Sequence, residues 1–188
     1  MLGGVGKKQL AASVTSEMMT KQRRYEALVR ALHADLYRYA FWLCHNPTVA
    51  DDLVQETFLR AWKSLDSLKD EGAAKAWLIT ILRRENARRF ERKQFDLSDL
   101  DEVQVADPAQ GDPEQTIEQR WLRRQIAQLE PEYREPLLLQ ILYGFSGDEI
   151  ATVMELNRNT VMTRLFRARN QLREAMQDNA KTGGQKNG

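Results

Sequence analysis

The last third of the chain contains a run of Arg, Asn and Thr side chains of the kind that bind nucleic acid. The segment "NTVMTRLFRARNQL", residues 159–172, has no Asp or Glu. At 100° per residue along a helix, Leu165, Ala168 and Leu172 fall within about 40° of Val161. The opposite arc holds Asn159, Thr163, Phe166, Arg167 and Asn170, with Thr160 and Arg164 at one edge and Met162, Arg169 and Arg173 at the other. Arg and Asn can hydrogen-bond to base edges, and Arg also binds phosphate. The pattern therefore predicts a helix with an apolar seam and a DNA-binding face.

A short helix and a turn precede this segment, at the spacing of a helix-turn-helix. Ser146 can cap a short helix that buries Ile150 and Met154, and "ELN" can form a three-residue turn. Asn157 or Asn159 can then cap the longer helix. A solvated basic helix is the alternative. A helix-turn-helix by itself is typical of repressors, activators and transcription initiation factors alike.

The rest of the chain also shows helical periodicity, with apolar residues three and four positions apart. One helix is predicted from Tyr25 to the "NP" at residues 46–47, a second from a cap at Thr48 to Leu65, and a third from about Ala73 into a basic run. Helices follow from Ile117 and from residue 131. The expected core positions include Leu36, Tyr39, Ala40, Leu53, Val54, Phe58, Ala61, Leu78, Ile81, Leu82, Leu137, Leu138, Ile141 and Leu142. No segment alternates long enough to be a strand.

An acidic segment separates two helical halves. Residues 96–118 contain eight carboxylates and no Lys or Arg, so with a net charge of +1 the remainder carries +9. With Pro108, Gly111 and Pro113, this segment cannot bury enough apolar surface to order itself. We predict an all-α fold of two small helical domains joined by a flexible acidic linker. The expected limits are 1–20 for a disordered extension, 21–93 for the first domain, 94–116 for the linker, 117–177 for the second domain and 178–188 for a loose tail.

Composition excludes several functional classes. The single cysteine, Cys44, cannot form an internal disulfide and fits a reducing cytosol. Its neighbour His45 points elsewhere on a helix, and His33 is the only other histidine, so a buried thiol is favoured over a metal site. The apolar runs are far shorter than the roughly 18 residues of a membrane span. We expect a cytoplasmic protein with no metal, no cofactor, no small-molecule substrate and no direct membrane insertion.

A mixed polar stripe on the second helix suits a protein partner. Asp52, Gln55, Glu56, Leu59 and Lys63 recur three and four residues apart outside the apolar set. Acids, an amide and a leucine make a poor DNA surface. The stripe therefore predicts a contact with another protein.

Four segments together resemble a known family. "ADDLVQETFLRAW" resembles the most recognisable motif of bacterial sigma factors of the extracytoplasmic-function (ECF) group. "AWLITILRREN" is similar to the family's promoter-melting helix, "LEPEYREPLLLQ" to the helix before the helix-turn-helix, and "NTVMTRLFRARNQL" to its recognition helix. The resemblance covers about Tyr25 to Met176 in family order.

The resemblance implies a non-catalytic transcription initiation factor. Its partners would be core RNA polymerase (the clamp of the largest catalytic subunit, and the flap region for the C-terminal domain), promoter DNA and an anti-sigma protein. The implied polymerase-binding residues are Asp52, Leu53, Gln55, Glu56, Phe58, Leu59 and Lys63. Besides the loop from Asp66 to Ala74, the implied minus-10 residues are Trp77, Arg83, Arg84, Arg88, Arg89, Arg92 and Lys93. The implied minus-35 residues are Arg158, Asn159, Thr160, Thr163, Arg164 and Arg167.

Some positions leave alternatives open. Trp77 lies on the apolar period of its helix and can simply pack in the core. Glu155, Asn157, Asn159 and Met162 depart from residues common in the family, which leaves the minus-35 sequence undefined. A two-domain repressor or activator would explain the helix-turn-helix but not the stripe. A metal-dependent nuclease built on the acidic segment lacks rigid ligands. That segment is either a nucleic-acid mimic for the polymerase channels or only a tether.

Overall fold

The computed structural model describes the backbone of residues 4–95 and 116–184, and the side chains of 17–92 and 116–179. Seven α-helices and no strand occur within these ranges, which confirms the all-α, two-domain prediction. The first domain contains α1 (Gly4–Cys44), α2 (Pro47–Ser64) and α3 (Ala74–Phe95), with 3-10 turns at Leu65–Ser67 and Glu71–Ala73. The second contains α4 (Ile117–Gln128), α5 (Pro131–Tyr143), α6 (Gly147–Met154) and α7 (Arg158–Gly184). Most of the predicted linker, residues 96–115, lies outside the described residues.

The first and last helices are longer than the apolar period indicates. Helix α1 begins at Gly4, so the expected disorder of the N-terminal extension is corrected for residues 4–20. Residues 178–184, expected to be loose, continue α7. Neither segment contains proline, so the ladder of backbone hydrogen bonds is not interrupted beyond the last packed turn.

The connection between α1 and α2 explains a misplaced cap. His45 adopts a left-handed conformation with φ 50°, which ends α1. Asn46 then caps α2, its Oδ1 accepting from the Val49 amide at 3.0 Å, whereas Thr48 was expected to do so. Pro47 favours this arrangement because its fixed φ suits the first helical position, so the residue before it becomes the cap.

Helices α1, α2 and α3 bury a common apolar core. The predicted positions Leu36, Tyr39, Ala40, Leu53, Val54, Phe58, Ala61, Leu78 and Leu82 are all buried. On α3 Ile79 is also fully buried, whereas the predicted Ile81 is only half-buried. The buried arc is wider than the period of one helix indicates because α3 is covered by α1, α2 and α6.

The second domain is a set of short helices with well-formed ends. Helix α5 ends at Gly144 with φ 69°, as predicted, and Ser146 caps α6 in a capping box with Glu149. Leu138 and Leu139 of α5 are fully buried, but Ile141, expected in the core, is exposed. The predicted seam of α7 is confirmed, since Val161, Leu165 and Ala168 are all 0% exposed.

The two domains pack against each other. Their buried residues form one continuous cluster, and Trp42 of α1 also packs with Ile126 and Leu138. Polar contacts cross the boundary as well: the Tyr39 hydroxyl donates to Glu135 Oε1 at 2.6 Å. Lys75 Nζ lies 5.4 Å from the centroid of the Tyr143 ring. The sequence gives no sign of this packing, because its residues lie far apart along the chain.

Candidate nucleic-acid and protein interfaces

The helix-turn-helix presents one concave polar surface at the start of α7. All six predicted minus-35 residues line it: Arg158, Asn159, Thr160, Thr163, Arg164 and Arg167. Glu132, Tyr133 and Asn157 complete the lining. Four Arg or Asn side chains and two threonines thus converge, which suits base edges and phosphates in a DNA groove.

The local fold explains why these side chains face outward. Glu155 ends α6 in a left-handed conformation with φ 55°, and the chain turns into α7 within three residues. The Asn157 side chain caps α7 by accepting from the Thr160 amide at 2.8 Å. Because Val161 and Leu165 are buried, the residues between them point away from the domain. The free N-terminal amides of α7 add a partial positive charge to the same surface.

Three arginines of this surface have polar partners within the protein. Arg158 Nε lies 3.1 Å from Asp148 Oδ1, and Arg164 Nη2 lies 3.4 Å from Glu132 Oε2. Arg167 Nη1 donates to the Tyr133 hydroxyl at 3.1 Å. Exposed ion pairs of this kind contribute only about 0–1 kcal/mol each, so a phosphate or a base can replace them. The acidic partners and Tyr133 were missed because they lie on other helices.

The exposed stripe on α2 is partly as predicted. Asp52, Gln55, Leu59 and Lys63 are exposed, and Leu59 is an apolar side chain with 56% of its surface accessible. Glu56 is half-buried beside Arg60, with Oε1 3.0 Å from Nε. A single exposed leucine among charged side chains suits a contact with a protein.

Two residues of the predicted polymerase-binding set lie in the core. Leu53 and Phe58 are only 4% and 6% exposed. Phe58 packs edge-on against the ring of Tyr25 in α1, with centroids 6.3 Å apart. Both side chains are therefore packed in the core of the first domain, which favours packing as their main role.

The predicted minus-10 loop, from Asp66 to Ala74, lies against α1 and the start of α3. Leu68 packs with Leu28, Leu65 and Ala74 in a small buried cluster. Trp77 is half-buried against this cluster and against the main core, which favours packing as its main role. The remaining side chains of the loop are exposed.

The basic residues of α3 divide into two groups. Arg83 and Arg84 face the second domain: Arg83 pairs with Glu135 and donates to the Val153 carbonyl, and Arg84 Nη2 lies 2.6 Å from Glu155 Oε1. Burial alone would lower the pKa of Arg83, but the hydrogen bond and charge of Glu135 outweigh it and raise the pKa. These two predicted DNA contacts are therefore engaged within the protein in this arrangement.

The second group lies further along α3. Arg88 pairs with Glu85, a buried carboxylate that also lies 3.4 Å from Arg60 Nε. Arg89 is half-buried and Arg92 is exposed. The side chain of Lys93 lies outside the described residues.

Comparison with known proteins identifies the family. Residues 28–95 match the model of Sigma-70 region 2, and residues 119–172 match that of Sigma-70, region 4. The ECF RNA polymerase sigma factor SigL of Mycobacterium tuberculosis is 33% identical over 162 residues, which is 81% of this chain and 90% of that protein. The chain belongs to the ECF sigma factors.

Further similarities agree with this assignment. The sigma factor EcfG of Rhodopseudomonas palustris is 34% identical over 139 residues, covering 73% of this chain and 76% of its own. The sigma factor RpoE of Bartonella quintana, in a complex with the anti-sigma factor NepR, superposes with a TM-score of 0.71 at 26% identity over 82% of this chain and 98% of its own. The family resemblance seen in the sequence is confirmed.

The sigma factor directs RNA polymerase to promoters, as its two sigma regions imply. The alternative of a free-standing repressor or activator is not favoured, because it does not account for a region 2 domain. Sigma factors are regulatory, non-catalytic proteins.

Among side chains 17–92 and 116–179, no three or more His, Cys, Asp or Glu residues are grouped to hold a metal ion. The Cys44 thiol donates to the Ala40 carbonyl at 3.0 Å, and burial raises its pKa. No helix in the described ranges is long and apolar enough to cross a membrane.

Proposed function

We propose that this sigma factor uses three separate surfaces for the three steps of promoter selection. The exposed α2 residues Asp52, Gln55, Glu56, Leu59 and Lys63 dock on the clamp of the largest polymerase subunit. The loop from Asp66 to Ala74 and the basic side of α3 bind the opened minus-10 element. The concave surface at the start of α7 reads the minus-35 element, and the second domain contacts the polymerase flap.

The observation that supports this proposal most directly is the convergence of six residues on one concave surface of the helix-turn-helix. Their hydrogen-bonding groups are those that read base edges in the major groove. The α2 stripe, with its two acids and one exposed leucine, supports a contact with a protein rather than with DNA.

The proposal includes an anti-sigma protein as a partner, since the RpoE relative is bound to NepR. We place this sigma factor in the cytoplasm, where the polymerase acts. We assign it no catalytic activity of its own. It needs no cofactor and no small-molecule substrate for any of these contacts.

Charge reversal on α2 tests the polymerase contact. The double variant Asp52→Lys/Glu56→Lys is expected to lose binding to core polymerase, because it places two positive charges where the proposal has two acids. Asp52 is exposed, and Glu56 lies half-buried beside Arg60 outside the core, so the helical circular dichroism should stay unchanged. Binding is measured by native gel shift and run-off transcription with purified core enzyme.

A matched control separates the stripe from a general effect of charge. Glu17→Lys/Glu26→Lys changes the net charge equally, at exposed positions of α1. It is expected to bind core polymerase as the unmodified protein does. Equal binding by both double variants would contradict the clamp assignment.

A further inference from the structure

The predicted minus-10 loop is held by two cationic side chains from the N-terminal half of α1. Lys21 Nζ lies 2.8 Å from Asp66 Oδ2, at the start of the loop. Arg24 donates from Nε to Glu71 Oε1 and from Nη2 to the Leu68 carbonyl. Lys21 and Arg24 precede the sigma region 2 match, residues 28–95, whereas their partners in the loop lie within it.

Arg24 connects the two 3-10 turns of the loop. Leu68 directly follows the first turn, and Glu71 begins the second. One planar guanidinium can hold a carboxylate and a carbonyl at a fixed separation, which an ammonium cannot do. The side chains of Arg24 and Lys21 are 32% and 26% exposed, and their carboxylate partners 59% and 79%, so water partly screens both pairs.

The interior of the loop supports the same conformation. The Asp70 side chain accepts from the Gly72 amide at 2.9 Å. Leu68 is buried between α1 and α3, so the loop is anchored on its inner side. Ser67 and Lys69 remain exposed on its outer side.

We infer that Arg24 is a positioning residue for minus-10 recognition, which fixes the loop from Asp66 to Ala74 in one conformation before DNA arrives. A fixed loop rejects a wrong base because it cannot rearrange around it, whereas a mobile one tolerates several. The inference rests on the proposed role of this loop in minus-10 binding.

The test compares promoter discrimination by full-length variants in complex with core polymerase. Arg24→Ala is expected to lower the ratio of transcription from the preferred minus-10 sequence to that from its single-base variants by about tenfold, equivalent to about 1.4 kcal/mol. Arg24→Lys keeps the positive charge but not the planar guanidinium, so its transcription ratio should lie between those of the unmodified protein and Arg24→Ala. A uniform loss from all templates, or an unchanged ratio, would overturn the inference.

Arg23→Ala is the matched control, because Arg23 is the exposed neighbouring arginine of α1. It is expected to leave the ratio unchanged. Hydrogen exchange of the peptide spanning residues 65–75 supplies a readout independent of DNA. Exchange should be faster in Arg24→Ala than in Arg23→Ala, and equal rates would also contradict the inference.

A loop variant distinguishes this inference from the proposed function. If Ser67→Ala/Lys69→Ala alters minus-10 preference but Arg24→Ala does not, the loop reads DNA without help from Arg24, and only the inference fails. If neither changes the preference, the minus-10 role of the loop fails with it.

Discussion

Arg83 and Glu135 form a partly buried ion pair between the two domains, and removing it should measurably loosen their packing. Their side chains are 23% and 19% exposed. Arg83→Ala also removes the 2.8 Å bond to the Val153 carbonyl and leaves Glu135 with Tyr39 as its hydrogen-bond donor. Breaking a fully buried pair costs about 3–5 kcal/mol and an exposed pair about 0–1. The intermediate exposure places the expected loss at about 2–3 kcal/mol.

A double-mutant cycle isolates the pair itself. Arg83→Ala, Glu135→Ala and the double variant are compared by urea unfolding, followed by circular dichroism at 222 nm. We expect a coupling energy of about 1–2 kcal/mol, because each single variant leaves a partner half-buried without its counter-charge. The thermal midpoint of Arg83→Ala should fall by roughly 5–10 °C for a chain of this size.

The neighbouring pair Arg84 and Glu155 is the control, since it crosses the same boundary with side chains 62% and 63% exposed. Its coupling should be about 0–1 kcal/mol. Residue 155 has a left-handed backbone, which is strained for alanine as well. The strain is common to the Glu155→Ala single and double variants, so it cancels from the cycle. Additivity within about 0.5 kcal/mol for Arg83 and Glu135, or equal coupling in both pairs, would refute burial as the source of the stabilisation.

Two further predictions concern the recognition helix. Arg167→Ala should weaken binding by about 1–3 kcal/mol and relax preference at one minus-35 position, as measured by gel shift on a set of single-base variants. A uniform loss would indicate a phosphate contact, and Arg173→Ala, further along α7, should leave the preference unchanged. Asn157→Ala removes the cap of α7 and should cost about 1 kcal/mol of stability, which lowers the thermal midpoint by about 2–4 °C. Asn157→Ser should restore the midpoint. An unchanged midpoint in Asn157→Ala would exclude the cap as a source of stability.

Local patterns predicted the second domain well. The seam of Val161, Leu165 and Ala168 is buried because helical spacing alone decides which side chains share a face. The caps at Ser146 and Asn157 act within three residues, so the sequence contains both partners of each bond. The same locality explains why the six minus-35 residues lie together.

Features that depend on distant partners could not be predicted from single helices. Ile79 is buried instead of Ile81 because α6 of the other domain covers that side of α3. Arg83 and Arg84 were predicted as DNA contacts from the family resemblance and from their charge. Their acidic partners stand 52 and 71 residues away, beyond the reach of any periodicity.

The polymerase-binding motif mixes two roles that a linear motif does not separate. Leu53 and Phe58 lie in the core, whereas Asp52, Gln55 and Leu59 are accessible on the same helix. The apolar period already assigned the first two to the core. Periodicity was therefore a better guide to their environment than membership of the motif.

Helix α1 contacts both the predicted minus-10 loop of the first domain and the second domain. Arg24 binds the loop, and fifteen residues later Tyr39 binds Glu135 of the second domain. The two side chains lie about 22 Å apart along the axis and within about 60° of one another around it. Deleting one residue between them would shorten this part of the helix by about 1.5 Å and rotate one side chain relative to the other by about 100° around the axis. Arg24 and Tyr39 could then not both reach their partners, so these two contacts fix the number of helical residues between them.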